Sequence, residues 1–168
     1  PMNAVIGLSG LLMQTDLSEV QREYVGRVDM AARSLLHIIN DIPDFSKIEA
    51  GKLDIENIQF HLEDVLKNTV DLLADRAYAK GLEFILDLPP RTPTRLIGDP
   101  LRLSQILTNL INNAVKFTEK GEVMVSVRVM EKLAGTVALR FSVKDSGIGM
   151  TQAQVDKLFK PFIQADSS

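Results

Sequence analysis

Three short stretches of this chain hold side chains whose types and spacing could do chemistry. On residues 101–117 (LRLSQILTNLINNAVKF), a helix projection at about 100° per residue gathers Arg102, Asn109, Asn113 and Lys116 on one narrow arc. Opposite them, Ile106, Leu107, Leu110, Ile111, Ala114 and Val115 fill a broad apolar arc. Every amphipathic helix has a wet face, yet three asparagines on so apolar a helix are unusual, because Asn is a poor helix former. A carboxamide oxygen is a usable Mg2+ ligand where phosphate oxygens complete the shell. The second stretch, Asp145-Ser146-Gly147-Ile148-Gly149-Met150, follows a strand. Asp-Ser-Gly serves equally as a strand-ending turn. Alternatively, the carboxylate accepts from an exocyclic amine and the glycines let the backbone come close to a ligand. The third, Leu158-Phe159-Lys160-Pro161-Phe162, is by itself an aromatic helix end stopped by proline.

Composition narrows the chemistry. No cysteine is present, so disulfides, thiolate zinc and thiol catalysis are excluded. His37 and His61 are the whole histidine complement, too few for a three-histidine metal site. His37 stands beside an apolar seam and His61 at a strand-to-helix junction, and both read as structural. The net charge of −3 argues against a protein that tracks nucleic-acid phosphates. With 45% hydrophobic residues the chain can bury a core. No uninterrupted run of about 18 apolar residues suggests a membrane span. The chain starts at Pro1 and stops at Ser168 without a capped element, so a piece of a longer protein is expected.

The elements that must position these residues fall into two textures. Residues 1–14 read as a helix, weakened by Gly7 and Gly10. Ser18 with Gln21 forms a capping box that opens a second helix over 18–50. Val28, Leu35 and Ile42 recur there every seven residues, with Ala31, Ile38 and Phe45 as companions and Ala32 and Ile39 widening the stripe. That is a bundle seam, too long for one short partner, so two chains are expected to complete a four-helix bundle. Pro43 predicts a kink or an early end, and Gly51 the stop. From Leu53 onward, strands are predicted at 53–60, 82–88, 94–99, 121–131 and 136–145. Helices are predicted at 62–79, closed by Lys80-Gly81, at 100–117 behind an Asp99 cap, and at 152–159 behind Thr151. The expectation for this half is a sheet with helices on one face.

In this order and spacing the stretches resemble the sensor histidine kinases of two-component signalling, particularly the hybrid type. Asn109-Leu-Ile-Asn-Asn113-Ala-Val-Lys116-Phe is similar to that family's N-box, Asp145-Ser-Gly147-Ile-Gly149 to its first glycine box, and Phe159-Lys-Pro-Phe162 to its F-box. Asn40-Asp-Ile-Pro-Asp-Phe-Ser-Lys-Ile-Glu-Ala-Gly51-Lys resembles the end of the dimerisation helix, where the family usually has an apolar residue in place of Pro43. Pro1-Met-Asn-Ala-Val-Ile-Gly resembles the tail of the H-box.

The resemblance implies a helical dimerisation and phosphotransfer hairpin at 1–51, then an ATP-binding α/β sandwich at 52–168 of the histidine-kinase, gyrase and chaperone ATPase type. It implies a homodimer, ATP and Mg2+ as cofactors, and a response-regulator receiver domain as partner. The location implied is cytoplasmic, with membrane contact only through flanking segments. Asn113 would ligate Mg2+ with Asn109 beside it, and Lys116 would hold the phosphate tail. Asp145 would accept from the adenine amino group, Gly147 and Gly149 would give the base room, and Phe159 and Phe162 would pack where a lid meets the nucleotide. The acceptor histidine would stand five residues before Pro1, and the lid and second glycine box beyond Ser168. A degenerate module that dimerises and binds nucleotide is the alternative. The ATP-hydrolysing relatives of this fold carry a glutamate base where this chain has Asn109, which takes no proton at neutral pH.

Overall fold

A computed structural model describes residues 1–156, apart from the side chains of His37, Asn40, Asp41, Asp44, Phe45, Glu49 and Leu72. Two units emerge, Pro1–Ile55 and Glu56–Ser168.

The first unit is a hairpin of α1 (Met2–Leu12) and α2 (Glu19–Glu49). Ser18 and Gln21 form the reciprocal capping box, satisfying two amides at the start of α2. Gly51, at φ 62°, ends it. The Gly51 amide donates to the carbonyl of Ile48 and the Lys52 amide to that of Lys47, the paired bonds of a Schellman motif. The expected early end at Pro43 does not occur: α2 runs on to Glu49. Pro43 and Ile39 lie exposed, so the carbonyl that proline deprives of its donor can turn to water. Between the helices, the buried Ser9 hydroxyl lies 3.1 Å from Asp29 Oδ1, and Arg33 holds the same carboxylate at 2.6 Å. That guanidinium, chiefly by hydrogen bonding, holds the Asp29 carboxyl below its ordinary range. Ala32 is buried in the hairpin, while Val28, Leu35, Ile38, Ile39 and Ile42 remain exposed.

In the second unit, β1 (Ile58–His61) pairs antiparallel with β3 (Arg95–Gly98) as a two-stranded sheet. A three-stranded sheet has the order β2 (Glu83–Asp87), β4 (Glu122–Leu133), β5 (Thr136–Asp145). There β2 runs parallel to β4, and β4 antiparallel to β5. The expected single sheet is therefore two, and the expected strand at 53–60 is shorter, with residues 53–57 outside it. The four residues of β3 offer no ladder partner to that stretch, and alternation without a partner does not make a strand.

Two helices, α3 (Leu62–Ala79) and α4 (Pro100–Phe117), supply the rest of the core. Leu62, Leu66, Leu73 and Ala77 of α3 and Leu107, Ile111, Ala114 and Val115 of α4 are buried with Val123, Val125 and Val127 of β4. Over residues 123–127 of β4 alternate residues are thus buried against the helices, while Met124 and Ser126 between them are only partly covered. The apolar arc of α4 is narrower than its composition suggests, since Ile106 is 59% and Leu110 44% exposed. The helix packs on one side only, and these two lie at the edge of its polar face. A 2.9 Å hydroxyl pair, Thr69 with Ser104, joins α3 to α4. Thr151 and Gln154 form a second capping box at α5 (Gln152–Val155). The sequence expectation for this helix to reach 159 lies outside the described residues. Among the described residues, no helix is long and apolar enough to cross a membrane.

Asp99 is the entry clamp of α4. Its Oδ1 accepts the Arg102 amide at 2.9 Å and its Oδ2 the Glu56 amide at 3.2 Å. The Arg102 amide foremost holds this carboxyl below its ordinary value of 3.8. Its stabilisation is therefore complete above that ordinary value and lost as pH falls through the lower folded value. The stability gap between the wild type and Asp99→Asn, read by urea unfolding at several pH values, is expected to close between neutral pH and acid. Leu107→Ala, deep in the core, is expected to cost about 2–5 kcal/mol in the same measurement at neutral pH.

Candidate functional site

The predicted site residues on α4 share its exposed face: Asn109, Asn113 and Lys116 all reach solvent. Asn112, the third asparagine, does something else. It is half-buried, and its Oδ1 accepts from Arg76 of α3 at 3.3 Å, so it ties two helices together. The Lys116 ammonium lies 4.9 Å from the centre of the Phe117 ring. Asn113 offers one neutral, hard oxygen, with Asn109 one helical turn away. No cluster of three or more His, Cys, Asp or Glu stands among the described residues. This donor set fits a Mg2+ that brings most of its oxygens from phosphate and water, and Asn113 would hold it.

The glycine box is positioned by the C-terminal end of the same helix. Asp145 closes β5 opposite Val123, and its Oδ1 accepts the Gly147 amide at 2.9 Å. The next amide, Ile148, donates to the carbonyl of Phe117, the last residue of α4, at 3.3 Å. A Cβ on Gly147 would stand 2.4 Å from that carbonyl oxygen. Gly147 is therefore required by packing against α4, whatever room it also gives a ligand. Gly149 fits a different need: φ 65° is a left-handed conformation, and a Cβ there would meet nothing within 4 Å. Phe159 and Phe162, the remaining predicted positions, lie outside the described residues. His61 ends β1 opposite Arg95, exposed and making no capping bond, so it stands on an element apart from this loop. Nothing is described of the His37 side chain.

Three contributors were not read from the sequence. Ser146 Oγ accepts the Glu122 amide at 2.9 Å, and occupies the space a Cβ on Gly121 would fill, at 2.2 Å. Gly121, at φ 108°, thereby lets the start of β4 and the end of β5 close on each other. Thr118, fully buried, donates its hydroxyl to the carbonyl of Ala114 at 2.7 Å. Lys80 reaches from the end of α3 to the last carbonyls of α4, 2.7 Å from Val115 and 3.2 Å from Lys116. A lysine just past a helix was legible only as part of a stop signal, since its target is distant in sequence.

A helical hairpin followed by an α/β unit that presents an asparagine helix beside a glycine turn defines a phosphotransfer-and-ATPase architecture. The family described as His Kinase A (phospho-acceptor) domain matches residues 1–51, and that described as histidine kinase-, DNA gyrase B- and HSP90-like ATPase matches residues 98–168. The sensor histidine kinase GacS of Pseudomonas protegens is 46% identical over all 168 residues, which span 18% of its length. The signal transduction histidine-protein kinase BarA of Escherichia coli K12 is 44% identical, again over the whole chain and 18% of the relative. The crystal structure of full-length ShkA in complex with AMPPNP superimposes with a TM-score of 0.72 at 34% identity, covering 98% of this chain and 34% of that one. The chain carries the phospho-acceptor and ATPase domains of histidine kinases and is similar over its whole length to sensor histidine kinases. It spans about a fifth of the length of these curated relatives.

The two glycines are expected to respond differently to alanine. Gly147→Ala should cost about 1–3 kcal/mol through the clash with Phe117 and speed hydrogen exchange at the Ile148 amide. Gly149→Ala should cost about 1–2 kcal/mol of backbone strain and leave that amide's protection intact. Denaturant unfolding together with amide exchange distinguishes the two.

Proposed function

We propose that this chain is the central part of a protein-histidine kinase. Its second unit binds ATP, whose γ-phosphoryl group passes to a histidine imidazole just ahead of the hairpin and thence to a receiver aspartate. The observation that carries this reading is the seating of the Asp145–Gly147 turn on the Phe117 carbonyl. It joins a carboxylate suited to an adenine amine to the helix that carries Asn109, Asn113 and Lys116. The AMPPNP held by ShkA, a protein of the same fold, supports the choice of ligand.

In this reading Asp145 accepts from the exocyclic amine of the base, and its grip on the Gly147 amide fixes the direction of that carboxylate. Asn113 would hold Mg2+ through its carboxamide oxygen, and Asn109 would orient a phosphate oxygen beside it. Lys116 would add a positive charge near the phosphate tail. Bound Mg2+ supplies neutralisation of the charge that develops on the transferred group. Asn109 has no proton-accepting capacity at neutral pH, so these residues bind and orient without activating water, which suits transfer to an imidazole better than hydrolysis. The exposed Val28, Leu35 and Ile42 recur every seven residues, the period of a seam that a second copy would cover to form a four-helix bundle. The partners proposed are a second copy and a receiver domain, in the cytoplasm, with membrane contact through segments outside this chain.

The acceptor position implied by the resemblance falls before residue 1. The 168-residue chain is therefore expected to sediment as a dimer and to remain unlabelled by γ-phosphate-labelled ATP. Acid-labile phosphate on the chain itself would refute that. Asp145→Asn is expected to weaken MgATP binding by about tenfold or more in calorimetric or NMR titration, through loss of a charge-assisted hydrogen bond. Undiminished affinity would remove Asp145 from the site.

A further inference from the structure

The last turn of α4 ends in carbonyls that no helical amide can reach, and two different elements divide them. Phe117 gives its oxygen to the Ile148 amide of the glycine box at 3.3 Å. The Ala114 oxygen accepts from the helix's own Thr118 hydroxyl, and Lys80 takes the rest: its Nζ lies 2.7 Å from the Val115 oxygen, 3.2 Å from that of Lys116 and 3.5 Å from that of Thr118. Oxygens at 115, 116 and 118 thus converge on one ammonium while the oxygen at 117 is left directed at the glycine box. The orientation of this turn decides where the Phe117 carbonyl points, and hence whether the Gly147–Ile148 backbone can close on it.

Lys80 is itself held for the task. It is the C-cap of α3, and Gly81, at φ 72°, turns the chain so that the Gly81 and Leu82 amides bond back to Tyr78 and Ala77. Leu82 is then buried, anchoring the backbone on the far side of the lysine. A flexible side chain thus departs from a fixed root. Its charge also opposes the negative end of the α4 dipole, at the place where an anionic ligand is proposed to bind.

We propose that Lys80 is a positioning residue for the nucleotide site: by gathering the carbonyls of Val115, Lys116 and Thr118, it sets the Phe117 carbonyl that seats the glycine box. This rests on the nucleotide-binding reading above, but its mechanical part is testable without nucleotide. Amide exchange of the ligand-free chain, followed by NMR, is compared for wild type, Lys80→Met, Lys80→Arg and Lys67→Met, a lysine elsewhere on α3. Lys80→Met is expected to speed exchange at Ile148 while Val125 and Val127 of β4 keep wild-type rates, and Lys80→Arg to restore protection. MgADP titration should show about a five- to tenfold weaker affinity for Lys80→Met and near wild-type affinity for Lys80→Arg and Lys67→Met.

Equal effects of Lys80→Met and Lys67→Met would overturn the proposal. So would a uniform rise in exchange at Val125, Val127 and Ile148, which would reduce Lys80 to general stability. If Lys80→Met does not fold, Lys80→Gln gives the same comparison with a neutral donor in place. A wild-type chain that binds no MgADP, yet whose Ile148 amide answers to Lys80, would sink the nucleotide reading and leave the mechanical coupling standing.

Discussion

The contact on which the site depends is between two backbones: the carbonyl of Phe117 and the amide of Ile148, made possible because Gly147 has no side chain. A helix ends with unsatisfied carbonyls, and a strand-ending turn offers amides. Here each meets the other's need. The consequence reaches beyond one hydrogen bond, because the turn carries Asp145 and the helix carries Asn113 and Lys116. Side chains from residues far apart in sequence acquire a shared frame through main-chain atoms, which have less freedom than side chains. Ser146 reinforces that frame from the opposite side by gripping the Glu122 amide, so the turn is held at both the helix and the sheet.

The helix is fixed at its other end by comparable means. Asp99 accepts two amides, one from the first turn of α4 and one from Glu56 at the start of the unit. Between the clamps, one face of α4 is buried on β4 and α3, and Asn112 adds a polar tie to Arg76. With so much of the helix engaged, the solvent-facing residues Asn109, Asn113 and Lys116 have little to do for stability. For the two asparagines that is the physical ground for reading them as ligand-facing: they occupy positions where helix propensity alone would favour other residues.

Most elements were legible in the sequence because their ends carry local chemistry. The bounds 62–79 for α3 follow from an amphipathic period and the Lys80-Gly81 stop, and both capping boxes formed as their spacing indicated. Between β4 and β5, Gly135 sits at φ 85°, a conformation glycine tolerates. What failed were features set by partners distant in the chain. Alternation at 53–57 suggested a strand, but β3 is too short to pair with it. Ile106 and Leu110 counted toward an apolar face that packing does not reach. Of the kink or early end expected at Pro43, the early end did not occur, because local sequence does not tell whether the orphaned carbonyl lies in water or in a core. The same holds at the site: asparagine types and spacing could be read, but the separation of Asn112 from its neighbours depends on Arg76.

Gly147 has a packing role that its place in a glycine motif does not reveal. A glycine beside a proposed adenine contact is naturally credited with making space for the base. The geometry gives it a further task, making space for a carbonyl 2.4 Å from where its Cβ would be. The two accounts differ in what a larger residue would do. If the glycine served only the ligand, alanine would leave the free protein unchanged and obstruct binding. Because it serves the junction with α4, alanine must displace the turn before any ligand arrives, taking Asp145 with it. The defect then belongs to the assembly of the turn rather than to its occupancy, and the Asp145 carboxylate is displaced even though its own side chain is untouched.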